Sequence, residues 1–185
     1  MVDSDIDLML RCQKGEEASF EELVRRYQKR VIYTVYRYTG DRTEAEDLTQ
    51  EVFLRVYNAR QSYQPTSKFE SWIFTIVNNI CLNEIRNRKR RRVQSIFTDG
   101  SNPQINIAGQ QKTASSQLRG WELQITVRSA LDSLPDSQRM AVILNKFENF
   151  SYEDIAQMMK MTVPAVKSLL FRARENLKEK LKSYM

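Results

Sequence analysis

From Asp5 to about Arg92, apolar side chains recur at helical spacing almost without interruption, and nowhere does the chain alternate long enough to make a strand. An all-α fold follows. Breaks at Lys14-Gly15, at Gly40-Asp41 and across Gln61 to Ser67 divide this stretch into four helices. Asp41 with Glu44, and Ser67 with Glu70, have the spacing of a capping residue and its reciprocal acid, which puts helix starts near Arg42 and Lys68. Residues 93–117 lose the pattern: Gly100, Pro103 and Gly109 lie among many Ser, Asn, Gln and Thr residues, the composition of a flexible linker. Helical spacing resumes at Gln117 with Leu118, Trp121, Leu123, Ile125, Val127 and Leu131. After Asp132-Ser133-Leu134-Pro135 another helix carries Met140, Val142, Ile143, Leu144 and Phe147. The expected layout is two small helical domains, a four-helix domain over 1–92 and a second over 118–185, joined by the linker 93–117.

The second domain ends in a segment whose helix signals are explicit. Ser151 and Asp154 form a close variant of the capping box, so a helix starts at about Tyr152 and buries Ile155, Ala156 and Met159. The pattern breaks at Lys160-Met161. Thr162 then caps a second helix, with Pro164 in its first turn, where a missing N–H has no partner to lose. In that helix Val166, Leu170, Ala173, Leu177 and Leu181 share one stripe, while Pro164, Lys167, Ser168, Phe171, Arg172 and Glu175 lie opposite. Two short helices with this exposed face read as a helix-turn-helix whose second helix enters a major groove, in preference to an ordinary surface helix of an all-α domain.

Charge favours a polyanionic partner and, taken alone, would also suit binding to an acidic membrane surface. The 185 residues carry a net charge of +6, and 41% are hydrophobic, enough for two compact cores. There is no histidine, and the two cysteines, Cys12 and Cys81, lie far apart in sequence. The usual zinc frameworks, Cys-His pairs and Ser-His-Asp triads are therefore excluded, and we expect no metal, no cofactor and no catalytic residue. Both thiols read as small core residues. Asp3, Asp5 and Asp7 stand where a signal peptide needs basic and then apolar residues, and no apolar run is long enough to span a bilayer, so a cytoplasmic protein is expected.

Three constellations mark the first domain. In the third helix Ala45, Leu48, Val52, Val56 and Ala59 form the core stripe, and Asp47, Gln50, Glu51 and Leu54 fall on a separate face. That face suits a solvated surface, a docking surface or, less well, a paired-carboxylate site. In the fourth helix Phe69, Ile73, Ile76 and Ile80 make the core stripe, flanked by Trp72, Thr75, Asn79, Leu82, Asn83 and Arg86. Asn78 and Asn79 are poor mid-helix choices, because their amides compete for backbone hydrogen bonds. An aromatic ring, amides and an arginine on one stripe can stack on and hydrogen-bond unpaired bases, although a helix with tolerated polar residues fits as well. The same helix then runs into Arg86-Asn87-Arg88-Lys89-Arg90-Arg91-Arg92, a density of charge suited to phosphates.

Together, Ala45 to Phe53 (AEDLTQEVF), Phe69 to Arg86 and Ser151 to Arg174 resemble the bacterial RNA polymerase sigma factors of the extracytoplasmic-function group. The resemblance covers nearly the whole chain apart from the linker. It implies that the first domain is region 2 and the second region 4. It also implies the partners: core RNA polymerase through its β′ and β subunits, promoter DNA, and an anti-sigma factor, with no small-molecule substrate. Asp47, Gln50, Glu51 and Leu54 match the family face that binds a coiled coil of β′. Trp72, Thr75, Asn79, Asn83 and Arg86, with Arg88, Lys89 and Arg90, match the minus-10 reader, Asn79 standing where an asparagine helps to hold a flipped base. The loop Gln61 to Ser67 matches the one that completes that pocket. Thr162, Pro164, Lys167, Ser168, Phe171, Arg172 and Arg174 match the minus-35 reader. Lys160 stands where the family's turn usually has glycine, Leu169 where an arginine is common, and Asn83 where an aspartate is frequent. A shifted minus-35 preference is expected from Leu169. A stand-alone helix-turn-helix regulator would explain residues 134–185 but not the Asp47 face or the Asn79 stripe, and a helical carboxylate enzyme lacks histidine and a ligand cluster.

Overall fold

The computed structural model describes residues 4–99 and 126–182, with side chains over 4–91 and 126–182. Four helices build the first domain: α1 (Asp5–Gln13), α2 (Glu17–Thr39), α3 (Arg42–Ala59) and α4 (Phe69–Asp99). In the second, α5 covers residues 126–132. It is followed by α6 (Asp136–Val142), a π turn (Ile143–Phe147), α7 (Tyr152–Met159) and α8 (Val163–Leu181). No strand occurs among the described residues, and none of their helices is long and apolar enough to cross a membrane.

Helix ends follow the local chemistry. Ser4 caps α1 by accepting from the Asp7 N–H at 3.1 Å, and Asp41 caps α3 through the Glu44 N–H at 2.9 Å. Gly40 ends α2 at φ 80°, returning its N–H to the Tyr36 carbonyl at 2.8 Å. Ser151 and Asp154 form a complete capping box, each side chain accepting from the other's backbone N–H. Thr162 caps α8 through the Ala165 N–H at 3.4 Å, with Pro164 in the first turn. Helix α4 begins at Phe69, one residue later than its sequence suggested, and continues to Asp99, into the stretch expected to be linker.

The turn of the helix-turn-helix keeps its left-handed residue although that residue is lysine. Lys160 sits at φ 53°, ψ 50°, and its N–H closes α7. A side chain in this region costs about 1 kcal/mol, partly offset by the greater unfolded-state freedom of glycine. Lys160→Gly should therefore raise the unfolding free energy by about 0.5–1 kcal/mol. A urea titration reads this directly, and a lower midpoint with an unchanged slope would contradict the strain assignment.

Helix α2 lies at the centre of the first domain, packed by α1, α3 and α4, while α8 packs against both α6 and α7 in the second. The two apolar interiors form one continuous cluster, because α4 also packs against α7. This corrects two expectations. On α4 the buried set extends beyond Phe69, Ile73 and Ile80 to Ser71, Phe74, Val77, Asn78 and Cys81, and Ile76 is only partly buried. On α7 it is Met158, not Met159, that joins Ile155 and Ala156 in the core, since α7 is covered by α8 on one side and α4 on another. Both cysteines are buried and free, and burial pushes the Cys81 thiol well above its ordinary range. The positions Leu118, Trp121, Leu123 and Ile125 lie outside the described residues.

Candidate polymerase and nucleic-acid interfaces

On α3 the core stripe buries Ala45, Leu48, Val52 and Val56, which turns Asp47, Gln50 and Leu54 outward. Leu54 is 62% exposed, unusual for a leucine in mid-helix. Glu51 is partly exposed and paired with Arg55. Beside this face, α2 and α3 enclose an open apolar groove of about 660 Å³, lined by Phe20, Val24, Gln50, Phe53, Leu54 and Tyr57. Sequence reasoning missed the α2 side of the groove. Phe20 lies one turn before Leu23 and Val24 and reads as ordinary core, yet its ring meets Tyr57 edge-on at 5.1 Å and remains partly open.

The flanking stripe of α4 divides into two parts. At its start Trp72 is half-buried in an aromatic corner, its ring 4.9 Å from Tyr63 and 5.7 Å from Phe69. Thr75 spends its hydroxyl on the Ser71 carbonyl at 2.8 Å. Further along, Asn79, Asn83, Arg86 and Arg90 are exposed. Arg88 pairs with Glu44, and Lys89 reaches Asp136 of α6 at 2.6 Å, so two members of the basic run hold protein carboxylates. The loop before α4 is anchored by Gln13, whose amide donates to the carbonyls of Arg60 and Tyr63, both at 2.7 Å. Tyr63 is buried beneath Trp72 and Phe69. Neither residue was singled out from sequence, because the loop's contacts come from α1, some fifty positions away.

Asn78 and Asn79 separate sharply. Asn79 faces solvent, whereas Asn78 is buried and donates its amide to the Met158 carbonyl of α7 at 3.2 Å. The cost of an asparagine at position 78 is thus met by a contact between the domains, not by a ligand.

On α8 the apolar stripe places Val166, Leu170 and Ala173 in the core. The opposite face presents Pro164, Lys167, Ser168, Phe171 and Arg172, all exposed, with Phe171 at 63%. Arg172 donates to the Ser168 hydroxyl at 3.0 Å, and Arg174, on the flank, donates to the Tyr152 hydroxyl at 3.0 Å. Thr162 uses its hydroxyl in the cap. Leu169 packs against the core, which is why a leucine replaces a polar residue there at no cost in exposed apolar area.

Where the domains meet, Arg30 of α2 donates through Nε to Glu148 at 2.6 Å and through Nη2 to the Glu148 carbonyl at 2.9 Å, and it also pairs with Glu70. Burial opposes its charge, but the hydrogen bonds to Glu148 and Glu70 outweigh burial and hold the guanidinium above its ordinary value.

Comparison with known proteins agrees with this geometry. The sigma-70 region 2 family matches residues 23–91 and the sigma-70 region 4 family matches residues 124–177. The RNA polymerase sigma-H factor of Pseudomonas aeruginosa is 33% identical, over 97% of this chain and 94% of its own. The ECF RNA polymerase sigma-E factor of Escherichia coli is 34% identical, over 96% and 94%. Among solved structures, RpoE of Bartonella quintana, in complex with the anti-sigma factor NepR, superposes with a TM-score of 0.69 at 29% identity, covering 88% of this chain and 96% of that one. Two matched regions on an all-α, two-domain chain, with relatives aligned from end to end, lead to one conclusion: the chain belongs to the extracytoplasmic-function sigma factors of the sigma-70 family.

Proposed function

We propose that this sigma factor engages three partners through three separate faces: core RNA polymerase through α3, the minus-10 element through α4, and the minus-35 element through α8. The observation that carries this reading is that all three faces are open in one folded chain. Leu54 beside its groove, Asn79 and Arg86 on α4, and Phe171 with Arg172 on α8 each project away from the cores that position them. Region 2 then meets polymerase through Asp47, Gln50, Glu51 and Leu54, with Phe20 and Tyr57 lining the adjoining groove. An exposed leucine bordering an apolar groove, with polar groups on its outer side, has the character of an interaction surface.

On the minus-10 side, Asn79 and Asn83 supply amides, the Trp72 ring supplies a stacking edge, and Arg86 and Arg90 supply charge for phosphates. Arg88 and Lys89 join them once their carboxylate partners are exchanged for DNA. On the minus-35 side, Lys167 and Arg172 are suited to guanine edges or phosphates, and Phe171 offers the apolar surface that meets a thymine methyl. The protein carries out no chemistry of its own in this role and works in the cytoplasm, where polymerase and promoter are found.

A pull-down with purified core polymerase tests the reading against a stand-alone helix-turn-helix regulator, which has no need of that enzyme. Retention of the chain is expected, and its absence would overturn the proposal. For the minus-35 face, Arg172→Ala should cost about 1–3 kcal/mol of discrimination if the guanidinium reads a base edge. Equal losses on cognate and scrambled duplexes would reduce Arg172 to a phosphate contact.

A further inference from the structure

The loop that leads into α4 is held by a side chain of α1, a helix that carries neither the docking face nor a DNA-reading face. Of residues 57–68, only Tyr63 is buried, beneath Phe69 and Trp72. A single ring pins one point of a loop and leaves its backbone free to pivot about that point. Gln13, the last residue of α1, removes this freedom. Its amide donates to the Arg60 carbonyl and to the Tyr63 carbonyl, both at 2.7 Å, which ties the chain at the start of the 3₁₀ turn Arg60–Ser62 and just past its end. Gln61 answers from the loop, donating its amide to the Gln13 carbonyl at 3.1 Å, one of the last-turn carbonyls that a helix leaves without an intrahelical partner. Arg60 lies over the Tyr57 ring at 3.7 Å and donates to the Tyr57 carbonyl at 2.7 Å, which carries the tie into α3.

The post that carries Gln13 is itself firm. Leu8, Met9 and Cys12 bury one face of α1, and Asp5 at its start accepts from Arg26 of α2 at 2.7 Å and from the Tyr27 hydroxyl at 2.6 Å. Beyond Tyr63 the loop turns outward. Gln64, Pro65 and Thr66 are exposed, in a tight turn that the Thr66 N–H closes on the Gln64 carbonyl at 2.8 Å. This tip follows directly on the residue whose ring packs on Trp72, so an exposed amide and an exposed hydroxyl are presented at the head of the stripe Trp72, Thr75, Asn79 and Asn83. Asn79 stands two turns further along α4, about 10 Å from Trp72 at about 1.5 Å per residue. The loop lies at the surface, where water can replace the Gln13 amide on both carbonyls. Removing that amide therefore loosens the loop's position and leaves the domain folded.

We propose that Gln13 is a positioning residue for minus-10 recognition: by holding the Arg60 and Tyr63 carbonyls it sets the loop tip, residues 64–66, against the head of the α4 stripe, so that loop and stripe meet the same unpaired strand. The proposal rests on the assignment of α4 as the minus-10 reader. Without the two hydrogen bonds the loop visits other orientations, and capture of the strand is weakened by the fraction of molecules in which it is out of place.

The test uses the full chain with Trp121→Phe as the parent, which leaves Trp72 as its sole tryptophan, so that the emission reports whether Tyr63 is seated on that ring. In this background Gln13→Met keeps the length of the side chain and removes both donors, and Gln13→Lys restores donors at slightly longer reach. Emission, thermal midpoint, binding to core polymerase, and run-off transcription from duplex and premelted templates of a promoter that the parent transcribes are measured for the parent, for both variants and for Asn79→Ala. For Gln13→Met, the emission should move to longer wavelength and transcription from duplex DNA should fall about fivefold, with core binding unchanged and the yield restored on the premelted template. Gln13→Lys should recover the emission and most of the transcription. Gln13→Met with the parent's emission overturns the grip on the loop, and a shifted emission with the parent's yield overturns the role in recognition. A loss that accompanies weaker core binding, or that is equal on both templates, makes Gln13 a support of the fold alone and overturns the proposal. If Asn79→Ala transcribes duplex DNA as well as the parent, the minus-10 assignment fails and takes the proposal with it. A defect in Asn79→Ala beside an unimpaired Gln13→Met overturns the role of Gln13 and leaves that assignment standing.

Discussion

Replacing Leu54 by alanine is expected to weaken binding to core polymerase about thirtyfold, while helix content and thermal midpoint stay unchanged. The magnitude follows from the position. Leu54 is 62% exposed in the free chain and borders the groove between α2 and α3, so its removal opens no cavity in the core. Burying a leucine side chain fully contributes about 2 kcal/mol, which is about thirtyfold in Kd. Glu51→Lys should weaken binding as well, with a stronger dependence on salt, because it reverses a charge at the rim and releases Arg55 from its pair. Titration of labelled protein with core polymerase measures both. Leu54→Ala binding as tightly as the parent would remove α3 as the docking helix.

Asn79→Ala is expected to leave polymerase binding and closed-complex formation near normal and to slow promoter opening five- to tenfold, about 1 kcal/mol for one hydrogen bond to a captured base. Asn79 is exposed, and alanine is the better helix former. Loss of opening without loss of stability is therefore specific to a role in DNA capture. A template already melted across minus-10 should rescue the defect, because the cost of unstacking is then met in advance. Permanganate reactivity of minus-10 thymines on duplex and bubble templates reads the effect. Equal reactivity on duplex DNA for parent and variant would take Asn79 out of the site. Asn78→Ala provides the contrast: it removes a contact between domains and should leave base capture unaffected.

The elements most legible in the sequence were those set by local chemistry. The caps at Asp41, Ser151 and Thr162, the glycine at the end of α2 and the proline at the start of α8 all act within a few residues, so the sequence carries the whole signal. The outward turn of Asp47, Gln50 and Leu54, and of Lys167, Phe171 and Arg172, was readable for the same reason: one buried stripe fixes the opposite face.

What escaped depends on contacts between distant segments. Helix α4 buries two faces, and the second exists only because α7 packs on it, so Phe74 and Asn78 could not be assigned from the periodicity of α4 alone. Glu148 reads as a loop residue until α2 places Arg30 and Thr34 against it, 118 and 114 positions away. Gln13 and Tyr63 were missed in the same way, since the loop they anchor joins α1 to the start of α4. Lys160 gave an ambiguous local signal. A lysine stands where glycine is usual, yet it occupies the left-handed region between α7 and α8 all the same.

The most direct test of the account is run-off transcription from a library of bacterial genomic fragments, with purified core polymerase and this protein as the only sigma factor. Transcripts are expected whose start sites share a minus-35 and a minus-10 motif at fixed spacing, absent when the protein is omitted and reduced five- to tenfold by Asn79→Ala. Core polymerase that binds the chain yet initiates without regard to sequence, or at no fragment at all, would contradict it.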